Sequence, residues 1–240
     1  FIHCVLISFK NIYISILYSK NIFNSSLQYL NKILKRIHNI VRGDIMNFSE
    51  SKTKENLMRA FAGESQARNR YIFSAHKAKK DGLFVIESVF EFTAKQEEAH
   101  AKVFYDSLAS EAAQNIKIDG NYPVDIYEDT LHLLRAAQHN EFQEYEHDYR
   151  KFSEIAEQEG FSNISKIFSN IANVEKTHGD RFGKFADLYE QGKLFVSEIE
   201  TQWMCLNCGY IFTGTKAPEK CPICKHDRGF FVRLELSPYR

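Results

Sequence analysis

The chain has 240 residues, 44% of them hydrophobic, with 31 Lys+Arg against 31 Asp+Glu, which excludes a collagenous, low-complexity or fully disordered polypeptide and predicts one or two packed domains. The charge is uneven: residues 1–45 carry six basic residues and one acid, so the remainder nets −5, which argues against a nucleic-acid partner. The four prolines stand at 123, 218, 222 and 238, leaving the stretches before 122 and from 124 to 217 free to form long helices.

Residues 1–45 hold ten Ile, five Asn and four Lys, and no helical period is sustained through them. The apolar run from Ile2 to Tyr18 is broken by His3, Lys10 and Asn11 and is shorter than the ~20 apolar residues of a spanning helix. It also lacks the leading basic region and small-residue cleavage site of a secretory signal. The expectation is that Met46 is the native start and that residues 1–45 are a translated leader, disordered or non-native; Arg42-Gly43-Asp44-Ile45 fits purine-rich codons of the ribosome-binding type. A basic peripheral-membrane or organelle-targeting segment and a private structural extension stay open.

From Lys52 to Lys80, the residues Leu57, Ala60, Phe61, Ala67, Tyr71, Ala75 and Ala78 recur at helical spacing, and Asp81-Gly82 ends this first helix. A second helix is expected from about Leu83 to Ala113, with Val85, Val89, Thr93, Phe104 and Leu108 on one face. Asn115 to Pro123 reads as a turn-rich connection. A third helix is expected from near Asp125, its presumed cap, to Gly160, and a fourth from Ser162 to Gln191 with Gly192 as its stop. Four helices near 30 residues, about 45 Å each, predict an antiparallel four-helix bundle.

Polar residues interrupt these apolar stripes in register. Glu175 and His178 lie between Ile171 and Phe182, Glu97 and His100 between Thr93 and Phe104, Glu64 between Ala60 and Tyr71, and Glu141 with Glu144 between Ala137 and Tyr145. Buried unpaired carboxylates cost several kcal/mol, of order more than 3, so compensating cations are implied. Glu64 to Glu97 is 33 residues and Glu141 to Glu175 is 34; Glu64 to Glu141 is 77 and His100 to His178 is 78. The halves read as a duplicated helix pair, each supplying a Glu and then a Glu-x-x-His, the ligand set of a carboxylate-bridged di-iron or di-manganese centre. His76, His132, His139 and His226 have no such partners in the pattern, and His147 follows Glu144 by three as a candidate neighbour of the site.

Of five cysteines, Cys4 stands alone, whereas Cys205-x-x-Cys208-Gly209-Tyr210 and Cys221-Pro222-x-Cys224 form two thiolate pairs of a tetrahedral metal site. Their spacing accommodates zinc or a single iron and leaves a structural zinc ribbon open beside a redox centre. A reducing cytoplasm suits such unpaired thiols.

Taken together, Ala60-Phe-Ala-Gly-Glu-Ser-Gln-Ala-Arg-Asn-Arg-Tyr71, Gln96-Glu-Glu-Ala-His100, Glu141-Phe-Gln-Glu144-Tyr, Glu175-Lys-Thr-His178 and the cysteine pairs closely resemble the rubrerythrin family, over about Met46 to Leu236. The resemblance implies a ferritin-like di-iron four-helix domain at 46–192, a linker at 193–201 and a small, β-rich, rubredoxin-like iron domain at 202–240. It implies that Glu97 and Glu175 bridge the two irons, that Glu64 is terminal on one, and that Glu141 and His178 complete the other. Glu144 and His100 would exchange on the first iron between oxidation states, with Tyr71 and Tyr149 hydrogen-bonded to the carboxylates. The implied activity is reduction of hydrogen peroxide by a non-haem peroxidase in oxidative-stress protection. Its electrons would pass through the four-cysteine iron from rubredoxin or an NADH-dependent reductase, in a cytoplasmic homodimer with no membrane contact if the chain starts at Met46. Ala99 stands where some relatives have an acid, which affects no ligand.

Two other functions compete. Iron oxidation and storage uses the same carboxylates but has no need of the cysteine module or of Glu144. A zinc interaction module on a metal-stabilised bundle would need a basic or aromatic patch, for which 205–224 offers only Lys216, Lys220, Tyr210 and Phe212.

Overall fold

The computed structural model describes residues 46–237, so the expectations for residues 1–45 lie outside the described residues. The first helix pair is α1 (Lys52–Lys80) and α2 (Phe84–Asp106), packed lengthwise about the tight turn at Asp81-Gly82-Leu83. α1 begins where Ser51 accepts the Lys54 N–H and the Glu159 carboxylate accepts the N–H groups of Lys52 and Thr53, satisfying donors that a first helical turn leaves free.

The second pair is built from α3 (Thr130–Gln143), a π-helical turn at Glu144–Asp148, α4 (Tyr149–Gln158) and α5 (Ser162–Glu190). α3, the π turn and α4 run on as one rod against α5. This rod starts four residues later than expected. Asp129, not Asp125, caps it, accepting the His132 N–H, while Asp125 pairs with Arg70 and accepts from Asn140. α2 likewise stops at Asp106 rather than Ala113, followed by a short 3-10 turn at Ala109–Glu111. At the end of α5, Gly192 has φ +67° and Lys193 N–H bonds the Leu188 carbonyl, the left-handed stop that glycine permits.

Thr130 Oγ donates to Asp81 at the α1–α2 turn, so α3 starts at the end of the bundle where α1 finishes. Residues 107–129 therefore run back along the bundle as a long crossover, the connection of ferritin-like folds.

Two apolar clusters fill the bundle. One, toward the α1–α2 turn, includes Tyr71, Phe90 and Phe182 with ring centroids 5.0–6.0 Å apart; the other, toward the opposite end, includes Leu57, Phe104 and Phe168. Each such side chain stabilises the fold by roughly 1.5–3 kcal/mol when fully buried. The polar residues of the duplicated motif lie between the clusters.

β1 (Val196–Cys205), β2 (Ile211–Lys216) and β3 (Phe231–Arg233) form an antiparallel sheet in the order β2-β1-β3. β1 begins inside the stretch read as a linker, because Val196 already pairs with Lys216 before the register shifts at Thr201. Trp203 is fully buried and its indole N–H donates to the Gly214 carbonyl at 2.9 Å, anchoring the sheet beneath the cysteines. Phe230 stacks on Phe84 at 4.0 Å, and Leu194 and Val232 join the bundle's apolar cluster, so the sheet module is seated on the bundle end.

Candidate metal centres

Helical spacing brings the motif residues to one level of the bundle. α1 supplies Glu64, α2 Glu97 and His100, α3 Glu141, and α5 Glu175 and His178, and apart from His100, which keeps 13% of its side-chain surface, all are essentially buried. Two ligand groups result, Glu64–Glu97–His100–Glu175 and Glu97–Glu141–Glu175–His178, the donor atoms of each lying within 4.8 Å of one another.

Glu97 and Glu175 belong to both groups and send one oxygen to each. His100 Nδ1 lies 3.4 Å from Glu97 Oε2 and 3.0 Å from Glu175 Oε1, while His178 Nδ1 lies 2.9 Å from Glu97 Oε1 and 2.8 Å from Glu175 Oε2. Glu64 Oε2 is 3.7 Å from His100, and Glu141 Oε2 3.5 Å from His178. The imidazoles face each other at 5.5 Å, 15° from parallel. The two outer carboxylates are held from the opposite half of the repeat, Tyr71 donating to Glu141 and Tyr149 to Glu64.

The electrostatics show what is missing from a purely organic cluster. Burial and the neighbouring Glu175 and Glu97 push the Glu64 carboxyl well above the usual range, and burial with Glu97 lifts Glu141 to about 8. Burial also opposes charge on Glu97, yet His100 and His178 outweigh it and hold that carboxyl far below its ordinary value. Burial opposes charge on His178 too, but Glu141, Glu175 and Glu97 raise it to about 12. Both oxygens of Glu97 and Glu175, Glu64 Oε2, Glu141 Oε2 and both ring nitrogens of His178 are nonetheless without aligned hydrogen bonds. Buried carboxylates and imidazoles left in this state cost too much to keep as structure alone. Carboxylate oxygens with imidazole nitrogen suit iron, and the donor set fits a di-iron centre.

Glu144, the seventh expected ligand, belongs to neither group. It lies in the π turn, half-buried, facing a cavity of about 750 Å³ that Tyr149 also lines; burial and Glu141 raise its carboxyl well above the usual range. His147 is exposed, with Glu146 as its neighbour at 4.0 Å, and takes no part. His132 pairs with Asp129, and His226 lies 3.2 Å from the Cys224 carbonyl. Arg181 went unnoticed in the sequence because it falls outside the Glu-x-x-His pattern; it donates to Thr93 and Gln96 at 2.9 Å and lends positive potential to Glu141, Glu97 and Glu175.

In the sheet module Cys205, Cys208, Cys221 and Cys224 converge, with Sγ separations of 3.7 Å for Cys205–Cys224 and 3.6 Å for Cys208–Cys221. A disulfide would need about 2.05 Å, whereas a tetrahedron with metal–sulfur bonds of about 2.3 Å has edges of roughly 3.8 Å. Gly209, at φ +76°, turns the first loop as expected, and its N–H bonds the Cys205 carbonyl. Backbone N–H groups of residues 207, 208, 210 and 226 reach sulfur; that of His226 brings Cys224 down to about 5, while burial drives Cys205 up to about 12. This is a rubredoxin-like metal site.

The comparisons agree with both centres. The family model described as Rubrerythrin matches residues 55–186, and that of its rubredoxin-like domain matches residues 203–232. Rubrerythrin of Nitratidesulfovibrio vulgaris is 41% identical over 187 residues, covering 78% of this chain and 96% of that protein. Rubrerythrin of Porphyromonas gingivalis is 43% identical, over 78% of this chain and 92% of its own length. Among solved structures, fully reduced nigerythrin superposes with a TM-score of 0.52 at 28% identity, covering 78% of this chain and 91% of that one.

Proposed function

The chain belongs to the rubrerythrin family, and from that premise we propose that it is a non-haem peroxidase reducing hydrogen peroxide to water, H2O2 + 2 H+ + 2 e− → 2 H2O. The observation that carries this reading is the pair of carboxylates, Glu97 and Glu175, shared by two buried ligand groups in a chain that also holds a four-thiolate site. Glu64, Glu97, His100, Glu141, Glu175 and His178 would hold two iron ions, which would supply the two electrons that cleavage of the O–O bond consumes.

The protein's residues do the rest. Glu97 and Glu175 fix the spacing of the two sites, and Tyr71 and Tyr149 orient Glu141 and Glu64. Glu144, on a turn beside the first group, would be the carboxylate that exchanges with His100 were iron bound there. Cys205, Cys208, Cys221 and Cys224 take electrons singly from rubredoxin or an NADH-dependent reductase. Within one chain the module docks at Phe84, thirteen residues and about 20 Å along α2 from Glu97. A head-to-tail homodimer, one subunit's cysteine site beside the other's carboxylates, would shorten that path. No described helix is long and apolar enough to cross a membrane.

The test is to reduce the iron-loaded protein without oxygen, add stoichiometric hydrogen peroxide and follow the ferric four-thiolate absorption. Rapid recovery that is lost in Glu97→Ala or Glu175→Ala, with the cysteine iron still bound, is expected. Slow recovery, with only dioxygen oxidising the bundle, would instead indicate iron oxidation and storage.

A further inference from the structure

The crossover lies along α1 as a strap fastened at both ends. Asp119 pairs with Arg59 at 2.6 Å and Asp125 with Arg70, two positions eleven residues and about 16 Å apart on α1. Between them Tyr122 bonds the Arg59 carbonyl through its hydroxyl at 3.1 Å, and its ring lies 3.8 Å from where a Cβ at Gly63 would stand. Gly63 immediately precedes Glu64, so this ring rests on the helix beside the first ligand group. The strap forms one wall of the 750 Å³ cavity that reaches Glu144 and Tyr149, whose hydroxyl holds Glu64.

The two fastenings differ. The Asp119 side chain is 91% exposed, whereas Arg70 and Asp125 are largely buried and Asn140 also bonds Asp125. Arg59 reaches the Asp119 carboxylate through Nε and Nη2 and its carbonyl through Nε, but these bonds stand in water and hold less firmly than the buried Asp125 pair. The strap is therefore anchored at 125 and releases first at 119. Asp119 and Asp125 also neutralise Arg59 and Arg70 at its margins, which suits an uncharged molecule rather than an anion.

We propose that residues 119–125 are the cover through which the oxidant reaches the carboxylate site, with Tyr122 as a sieve that passes hydrogen peroxide and excludes bulky hydroperoxides. This rests on the peroxidase reading. It makes Tyr122 a specificity-determining residue.

The experiment compares re-oxidation of the reduced, iron-loaded full chain by hydrogen peroxide and by cumene hydroperoxide. Tyr122→Ala is expected to raise the cumene hydroperoxide rate relative to hydrogen peroxide by at least about tenfold, on the scale of pocket-based discrimination. Tyr122→Phe, which keeps the ring, retains the wild-type ratio. Gly120→Ala provides an independent variant, since an added Cβ there would meet the Tyr122 ring at 2.5 Å and push it from its seat; it should behave like Tyr122→Ala. A readout without turnover is displacement of azide from the oxidised protein by phenylphosphonate, expected in Tyr122→Ala and not in wild type. Unchanged ratios and equal displacement in wild type and both variants would overturn the sieve. A wild type that hydrogen peroxide fails to re-oxidise would overturn the peroxidase reading, and azide displacement would then judge the cover by itself.

Discussion

Single residues set the charge state of the bundle site. Without a metal's charge, the protons on His178 and Glu141 hold the carboxylates together, at about 12 and about 8 respectively. The raised His178 value contributes stability that is present below its ordinary 6.5 and is lost as pH rises toward 12. The raised Glu141 value has the same sign, its contribution being lost as pH climbs from about 4.5 to about 8. Metal must displace such protons. Apparent Fe(II) affinity of the metal-free bundle should accordingly rise with pH between 6 and 8, roughly tenfold per unit for each proton displaced, with matching proton release in weakly buffered calorimetry. An affinity flat across that window would contradict the assignment of these groups as protonated competitors. Tyr149→Phe removes only the hydroxyl bonded to Glu64, and metal affinity or turnover should drop roughly 10–100-fold while the fold is kept.

At the scale of elements, the π turn accounts for an irregularity in the repeat. Glu64 and Glu141 are offset by 77 residues, but Tyr71 and Tyr149, like His100 and His178, are offset by 78. One residue has been added between Glu141 and Tyr149, and the π turn at Glu144–Asp148 absorbs it, keeping Tyr149 aimed at Glu64 as Tyr71 is aimed at Glu141. The added residue leaves Glu144 beside the cavity. Deleting the exposed Glu146 should restore a plain α-helix, preserve or raise the melting temperature, and rotate Glu144 away. Turnover should then fall by roughly tenfold or more while the cysteine site still loads. A deletion variant that melts much earlier would show that the turn is needed for folding instead. The 77-to-78 step is plain in the sequence, but a one-residue gap there fits a loop or a longer helix equally well, and only the backbone hydrogen bonds distinguish a π turn.

For the whole molecule, the contact that places the cysteine module is narrow and specific. Phe230 lies flat on Phe84, and a Cβ at Gly229 would stand 1.9 Å from the Gly82 carbonyl oxygen, an approach only glycine allows. Because the obstacle is backbone, Gly229→Ala must lift the module. The expected cost is about 1–3 kcal/mol for the forced contact together with about 0.5–1.5 kcal/mol for the lost ring pair. Calorimetry should show the module melting ahead of the bundle, with iron uptake at Glu97 and Glu175 unchanged. A single transition at the wild-type temperature would mean that the seat contributes little.

Much of this protein is legible along the chain. Helical periodicity marks all four bundle helices, the offset of the two Glu-x-x-His motifs identifies six of the residues that meet in the bundle, and the cysteine spacing identifies a four-sulfur site. These signals are local, because one helix turn or one tight loop decides which side chains share a face. The family resemblance implies that Glu97 and Glu175 are shared and that Tyr71 and Tyr149 bond carboxylates; what depended on tertiary structure was which tyrosine reaches which carboxylate across the two halves, and the exclusion of Glu144 from both groups. Asp125 resembles a helix cap in sequence for the same reason. An Asp before a helical pattern favours capping locally, but Arg70 and Asn140 lie fifty-five and fifteen residues away in sequence and offer it a more buried, doubly bonded site. Periodicity carries no information about such partners, so the strap over the cavity and the seat of the cysteine module emerge only when the helices are packed.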